Sequence, residues 1–103
     1  MIKHIVLFRF TDDSTDRQRQ SMLDELATFP ARYPAMRSWT MGENRSSRDD
    51  RFSHGFVVEF ETEEQLVDYL ATETHERFVR ERFRPIIQER AIFSYVFSSP
   101  PDN

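Results

Sequence analysis

The chain has 103 residues, 38% hydrophobic and 31% charged, with a formal net charge of −4 and no cysteine. That length suits one domain, and the apolar fraction fills a small core, which excludes wholesale disorder. The acidic balance speaks against a nucleic-acid module and against attraction to an anionic membrane surface, and the lack of cysteine removes disulfides, thiolate nucleophiles and Cys-based metal sites.

Residues Ile2 to Phe10 have the β-branched and aromatic content of a strand, and Thr11-Asp-Asp-Ser14 follows with turn chemistry. Val6, Phe8 and Phe10 share one face, and Ile5 and Leu7 the other. A strand apolar on both sides is covered on both sides. Residues Ser14 to Phe29 read as a helix capped by Ser14 or Thr15, with Met22, Leu26 and Phe29 as its inward stripe and Pro30 and Pro34 as its stop. Met36 to Gly42 is expected as a second strand, carrying Trp39, and the polar stretch Glu43 to Arg51 as an exposed hairpin loop. Phe52 to Glu61 alternates as a third strand, with Phe52, His54, Phe56, Val58 and Phe60 on its more apolar face.

Thr62-Glu-Glu-Gln65 has the pattern of a capping box opening a second helix. Leu66, Tyr69 and Leu70 form its stripe, Thr72 to Thr74 interrupt it, and Phe78, Val79 and Phe83 resume it. Pro85 lacks an N–H and predicts a break near Arg84, with Ile86 and Ile87 in a short further turn. Ile92 to Phe97 is expected as the last strand, so residues 1–98 form one domain and residues 99–103 a tail. No apolar run reaches the length of a membrane span, and Met1-Ile-Lys-His enters a strand pattern at once instead of a signal peptide's apolar core. A cytoplasmic protein with neither nucleic-acid nor membrane partners is the expectation.

The order β-α-β-β-α-β predicts an α+β, ferredoxin-like fold: a four-stranded antiparallel sheet with both helices on one face. The other face would carry Ile5, Leu7, Val57 and further aromatics, a patch that marks an interface. Burial against a second copy, sheet to sheet, is the expected solution, since two-fold dimers are the commonest closed assembly.

All three histidines of the chain fall on apolar stretches: His4 and His54 in strands, and His75 six residues after Tyr69. An imidazole on such a stretch needs a partner. If the first and third strands are neighbours, His4 and His54 approach each other, and with His75 and Tyr69 they would share one pocket. His75 reads as a general base or acid, and Tyr69 as a hydrogen-bond donor to a developing oxyanion. The alternative is a set of satisfied structural side chains. No metal site is expected, because the helical His-x-x-x-His pair and an adjacent carboxylate are missing. Arg77, Arg80, Arg82 and Arg84, interleaved with Glu76 and Glu81, read as a solvated helix face with i,i+4 pairs, or as an anion-steering rim at a pocket mouth.

Three segments in order, Met1-Ile-Lys-His-Ile-Val-Leu-Phe-Arg-Phe10, Phe52-Ser-His-Gly-Phe-Val-Val-Glu-Phe60 and Asp68-Tyr-Leu through His75-Glu-Arg-Phe78, resemble the stress-responsive A/B-barrel (Dabb) family. The resemblance spans about residues 1–97 and implies a dimeric α+β barrel of two ferredoxin-like subunits. One plant member is a polyketide cyclase that performs an intramolecular aldol condensation. By that resemblance its catalytic histidine and tyrosine fall on His75 and Tyr69, and its two pocket histidines on His4 and His54. Its pocket tyrosine on the first helix is Leu26 here, and its His-Pro-x-His context is replaced by Ala71-Thr-Glu-Thr-His75.

The functional expectation is a homodimer that binds a small apolar or aromatic molecule between helices and sheet, without a cofactor. A cofactor-independent cyclase or aldol-type enzyme is the alternative. A monooxygenase of the dimeric α+β-barrel type is a third, resting on fold analogy alone.

Overall fold

The computed structural model describes residues 1–98, and the expected tail at 99–103 lies outside the described residues. Strand β1 (Ile2–Phe10) is followed by helices α1 (Asp16–Leu26) and α2 (Phe29–Arg32), strands β2 (Ser38–Glu43) and β3 (His54–Phe60), helices α3 (Glu63–Ala71) and α4 (Glu73–Phe78), and strand β4 (Ile87–Val96). The four strands form one antiparallel sheet in the order β2-β3-β1-β4, the ferredoxin-like arrangement that the element order predicts.

Thr15 caps α1, and its hydroxyl accepts from the Gln18 N–H while the Gln18 side chain accepts from the Thr15 N–H. The expected single helix to Phe29 is instead two. α1 stops at Leu26, and α2 begins with Pro30 in its first turn, where a missing N–H costs nothing. The Thr62–Gln65 capping box opens α3 as anticipated. Beyond α4 the chain widens into a π-helical turn, Val79–Phe83, in which the Arg84 N–H reaches the Val79 carbonyl. Pro85 then forces a 3-10 turn, Arg84–Ile86.

The helix-covered face of the sheet holds the core. Ile2, His4, Val6, Phe8 and Phe10 of β1 and Phe56, Val58 and Phe60 of β3 are buried there with Met22, Leu26, Phe29, Leu66, Tyr69, Phe78 and Phe83. Phe8, Phe29 and Phe60 are fully enclosed, and each contributes about 1.5–3 kcal/mol from apolar area removed from water. On the opposite face Leu7, Phe93 and Tyr95 are exposed, Ile5 faces Phe93 and Val57 across the sheet, and Lys3 lies 5.0 Å from the Phe97 ring centroid. Gly55 makes room for this face, because a Cβ there would stand 2.8 Å from Leu7 Cδ2.

Strand β4 starts at Ile87, five residues before the expected Ile92. As an edge strand it is exposed along most of its length, so Gln88-Glu-Arg90 needs no apolar alternation, and charges there discourage further strand pairing. Among the described residues, no helix is long and apolar enough to cross a membrane.

Candidate functional site

Between the helices and the sheet lies a cavity of about 200 Å³ whose walls are mainly apolar. Phe29, Phe78 and Leu26 form one side, Val6 and Phe56 the sheet side, and Val79 and Phe83 of the π-helical turn a third. Its polar groups are His4, Tyr69 and His75, with Arg90 at the exposed β4 edge.

Thr72 organises two of these groups. It ends α3 and caps α4 with one side chain: its hydroxyl donates to the Tyr69 carbonyl (2.9 Å) and accepts from the His75 N–H (3.2 Å). A threonine suits that junction because its oxygen satisfies an N–H left open at a helix start. The Tyr33 hydroxyl stands 3.4 Å from the same oxygen. The Tyr69 and His75 rings consequently meet edge to face, with centroids 4.7 Å apart.

The tautomer of His75 follows from its partner. Its Nδ1 lies 3.1 Å from the Leu70 carbonyl, which only accepts, so Nδ1 carries the proton. Nε2 is left with a free lone pair, the configuration of a general base. Burial lowers the His75 pKa, outweighing the Leu70 carbonyl and Glu76, which favour the charged form. His4, 4% exposed, bonds Ser94 Oγ through Nδ1 at 2.7 Å. Its pKa is also lowered, first by burial and then by His75, so a proton on one ring disfavours a proton on the other. Burial, with Tyr33 in support, raises the Tyr69 pKa and keeps it a neutral donor. Its hydroxyl has no hydrogen-bond partner among the described residues and is free for a ligand.

His54 does not join this group. The β1–β3 register sets His4 against Val58 and Phe8 against His54. The two histidines share a face but stand four residues, about 13 Å, apart along the strands. His54 stacks on Phe8 (5.6 Å, 13°), meets Phe10 edge-on, and bonds Ser53 Oγ through Nδ1 at 2.8 Å. Its pKa is lowered by burial and by Arg19, against Glu43. It borders a separate open depression of about 670 Å³, walled by charges of both signs including Arg9, Asp12, Arg19 and Glu43. Arg9 is engaged by Glu89, and Arg19 by Ser14 and the Thr11 carbonyl, so these two arginines are committed within the chain. Among the described residues, no cluster of three or more His, Asp or Glu is placed to hold a metal ion.

Leu26 of α1 is one of the residues that line the cavity. Sequence reasoning missed Thr72 as the organiser, although a threonine at a helix interruption signals a cap. It also missed Arg90, because the apolar pattern of β4 begins only after it. The arginine-rich stretch is only partly paired along its own helix. Arg77 reaches Glu73 at i,i+4 and Arg80 reaches the adjacent Glu81, both at 3.7 Å, whereas Arg82 crosses to Glu25 at 2.9 Å.

Known proteins agree with this architecture. Olivetolic acid cyclase from Cannabis sativa is 24% identical over 96 residues, covering 91% of this chain and 94% of the cyclase. A stress-response A/B barrel domain-containing protein from Arabidopsis thaliana is 30% identical over 89 residues, 86% of this chain, which spans only 34% of that longer protein. Among solved structures, a hydroxynitrile lyase from Passiflora edulis superposes with a TM-score of 0.85 at 18% identity, covering 98% of this chain and 96% of the lyase. A dimeric ferredoxin-like protein of unknown function from Thermobifida fusca gives 0.79 at 21% identity, covering 93% and 90%. At those identities the likeness is one of fold. The sequence profile of the stress responsive A/B barrel domain matches residues 2–97, nearly the whole chain, and the protein belongs to that family.

Proposed function

We propose that the protein is a homodimer that binds a small apolar or aromatic molecule in the cavity between helices and sheet, and that His75 and Tyr69 perform cofactor-independent proton transfer on it. The observation that carries the chemical part is the His75 tautomer: Nδ1–H is committed to the Leu70 carbonyl, and the neutral ring offers Nε2 as base. Tyr69 stays protonated beside it and donates to the oxygen on which charge develops. His4, held by Ser94, orients the ligand from the sheet side. Withdrawal of a proton next to a carbonyl, as an aldol-type condensation requires, uses these roles and no others. The size of the cavity bounds the substrate. An apolar cavity of about 150 Å³ accepts benzene, so one of about 200 Å³ takes a ring with a short substituent.

The dimer is supported by the exposed apolar face of Leu7, Phe93 and Tyr95 and by the dimeric neighbours of the same fold. Sedimentation at micromolar concentration tests it, and a monomer there refutes it.

The chemical proposal is tested by exchange of the α-proton of small aryl ketones in D2O, followed by NMR. Wild type exchanges the proton, and His75→Gln lowers the rate by about 10²–10⁴-fold while ligand-induced shifts of cavity resonances persist. Equal rates in the two proteins reduce the cavity to a binding site.

A further inference from the structure

The cavity and its surroundings contain an unexplained run of positive charge. Arg90 faces Phe8 across the β4–β1 pairing, so its side chain rises on the helix-covered side of the sheet with Ile92 and Ser94, the partners of Val6 and His4. It lines the apolar cavity, and it has no ion pair or hydrogen bond through its side chain to any described residue. A shallow groove of about 280 Å³ adjoins the cavity, sharing Leu70, His75 and Val79 with it, and adds Arg80, Arg84 and Glu76. Arg84 is also without an ion pair among the described residues, and the Arg80 pair with Glu81 is exposed and long at 3.7 Å, hence weak. In a chain of net charge −4, Arg90 at the cavity and Arg80 and Arg84 along the adjoining groove outnumber Glu76 and Glu81, the partner of Arg80, and leave a local excess of positive charge. Such an excess concentrates anions at the opening.

We infer that the ligand of this cavity is a small aryl or alicyclic carboxylate, its carboxylate held by Arg90 at the β4 edge and its ring directed toward the His4–His75 pair. A guanidinium presents the planar fork that a carboxylate fills with two hydrogen bonds. Arg90 and Ser94, the partner of His4, are four residues apart on one face of β4, about 13 Å between their backbones. A bound carboxylate at Arg90 thus leaves the space of one ring before the histidines, in keeping with the cavity volume. Arg84 and Arg80 steer the anion inward without holding it. This inference rests on the reading of the cavity as the ligand site and specifies the ligand's charge and its anchor.

The test compares phenylacetate, its neutral methyl ester and phenylphosphonate by titration calorimetry at pH 7.5, with the His75 ring resonances followed by NMR to locate each probe. Wild type should bind phenylacetate about tenfold more tightly than the ester. Arg90→Gln should abolish that preference, and Arg90→Lys, which keeps the charge without the planar fork, should retain only part of it. Equal affinity for acid and ester in wild type, or a preference that survives Arg90→Gln, overturns the inference while leaving the cavity reading intact. Tighter binding of phenylphosphonate than of phenylacetate overturns the carboxylate assignment in favour of a phosphate-bearing ligand. If no probe shifts the His75 resonances, the cavity reading fails and this inference fails with it.

Discussion

Lowering the pH should destabilise this protein through its buried histidines, and the size of the effect follows from the structure. His4 and His75 both have folded-state pKa values depressed below the usual 6.5, chiefly by burial. The unfolded chain therefore binds protons that the folded chain refuses, and stability falls as pH drops through 6.5. A histidine that stays neutral when folded and titrates at 6.5 when unfolded loses about 1.4 kcal/mol of stability between pH 7.5 and 5.5. His4, only 4% exposed, should approach that limit. His75 is half-buried and should contribute about half as much after solvent screening. His54, of intermediate burial and also depressed, adds about as much as His75, so the expected total is up to about 3 kcal/mol, or a Tm about 10–20 °C lower in a domain of this size. Urea denaturation at the two pH values measures it, at one fixed protein concentration because association shifts apparent stability. His4→Asn, which can still bond Ser94, should flatten the pH dependence by about 1.4 kcal/mol. A stability that does not change between pH 7.5 and 5.5, or an unaltered slope in His4→Asn, would refute the assignment of His4 as a buried neutral imidazole.

Three substitutions probe the helix junction, the core and the open face of the sheet. Thr72→Ala removes the hydroxyl shared by the Tyr69 carbonyl and the His75 N–H; a loss of about 1 kcal/mol in urea unfolding is expected, with loss of the restricted His75 ring environment in NMR. Phe29→Ala deletes a ring, 1% exposed, that meets Tyr33, Trp39, Tyr69 and Phe78, and should cost about 3–5 kcal/mol by calorimetry. Gly55→Ala sets a methyl 2.8 Å from Leu7 Cδ2 and 3.3 Å from the Val6 carbonyl; because Leu7 can swing away on the open face, unfolding should change by only about 1 kcal/mol, while the dimer dissociates at higher protein concentration in sedimentation. A dimer of unchanged affinity would show that Leu7 does not form part of the interface.

Much of the fold was legible because local chemistry and global demand agree. The alternation in β1 and β3 separates the buried from the open face residue by residue, the Thr62–Gln65 capping box forms at its Thr and Gln, and Thr15, one of two candidates, caps α1. Pro85 announces the break at Arg84 and the short turn after it, whereas the π-helical turn that brings Val79 and Phe83 to the cavity carries no such signal. β4 was legible only in its second half. Its first half is a charged edge that buries too little to show a period, and the residue nearest the cavity mouth, Arg90, lies in that unread half.

Which side chains face the helices, and where Thr15 and Thr62 open a helix, could be read from the chain alone, since these depend on neighbours one to four residues away; the end of α1 could not, as Pro30 sits in the first turn of α2 instead of stopping the helix before it. The meeting of Tyr69 and His75 is equally local, because they flank a single helix junction. Which histidines meet is not. A face is a matter of parity, but position along a face is a matter of strand register, and register is fixed by pairing with distant segments. That pairing sets His4 beside Ser94 and within the field of His75, carries His54 away to stack on Phe8, and raises Arg90 at the edge of the cavity.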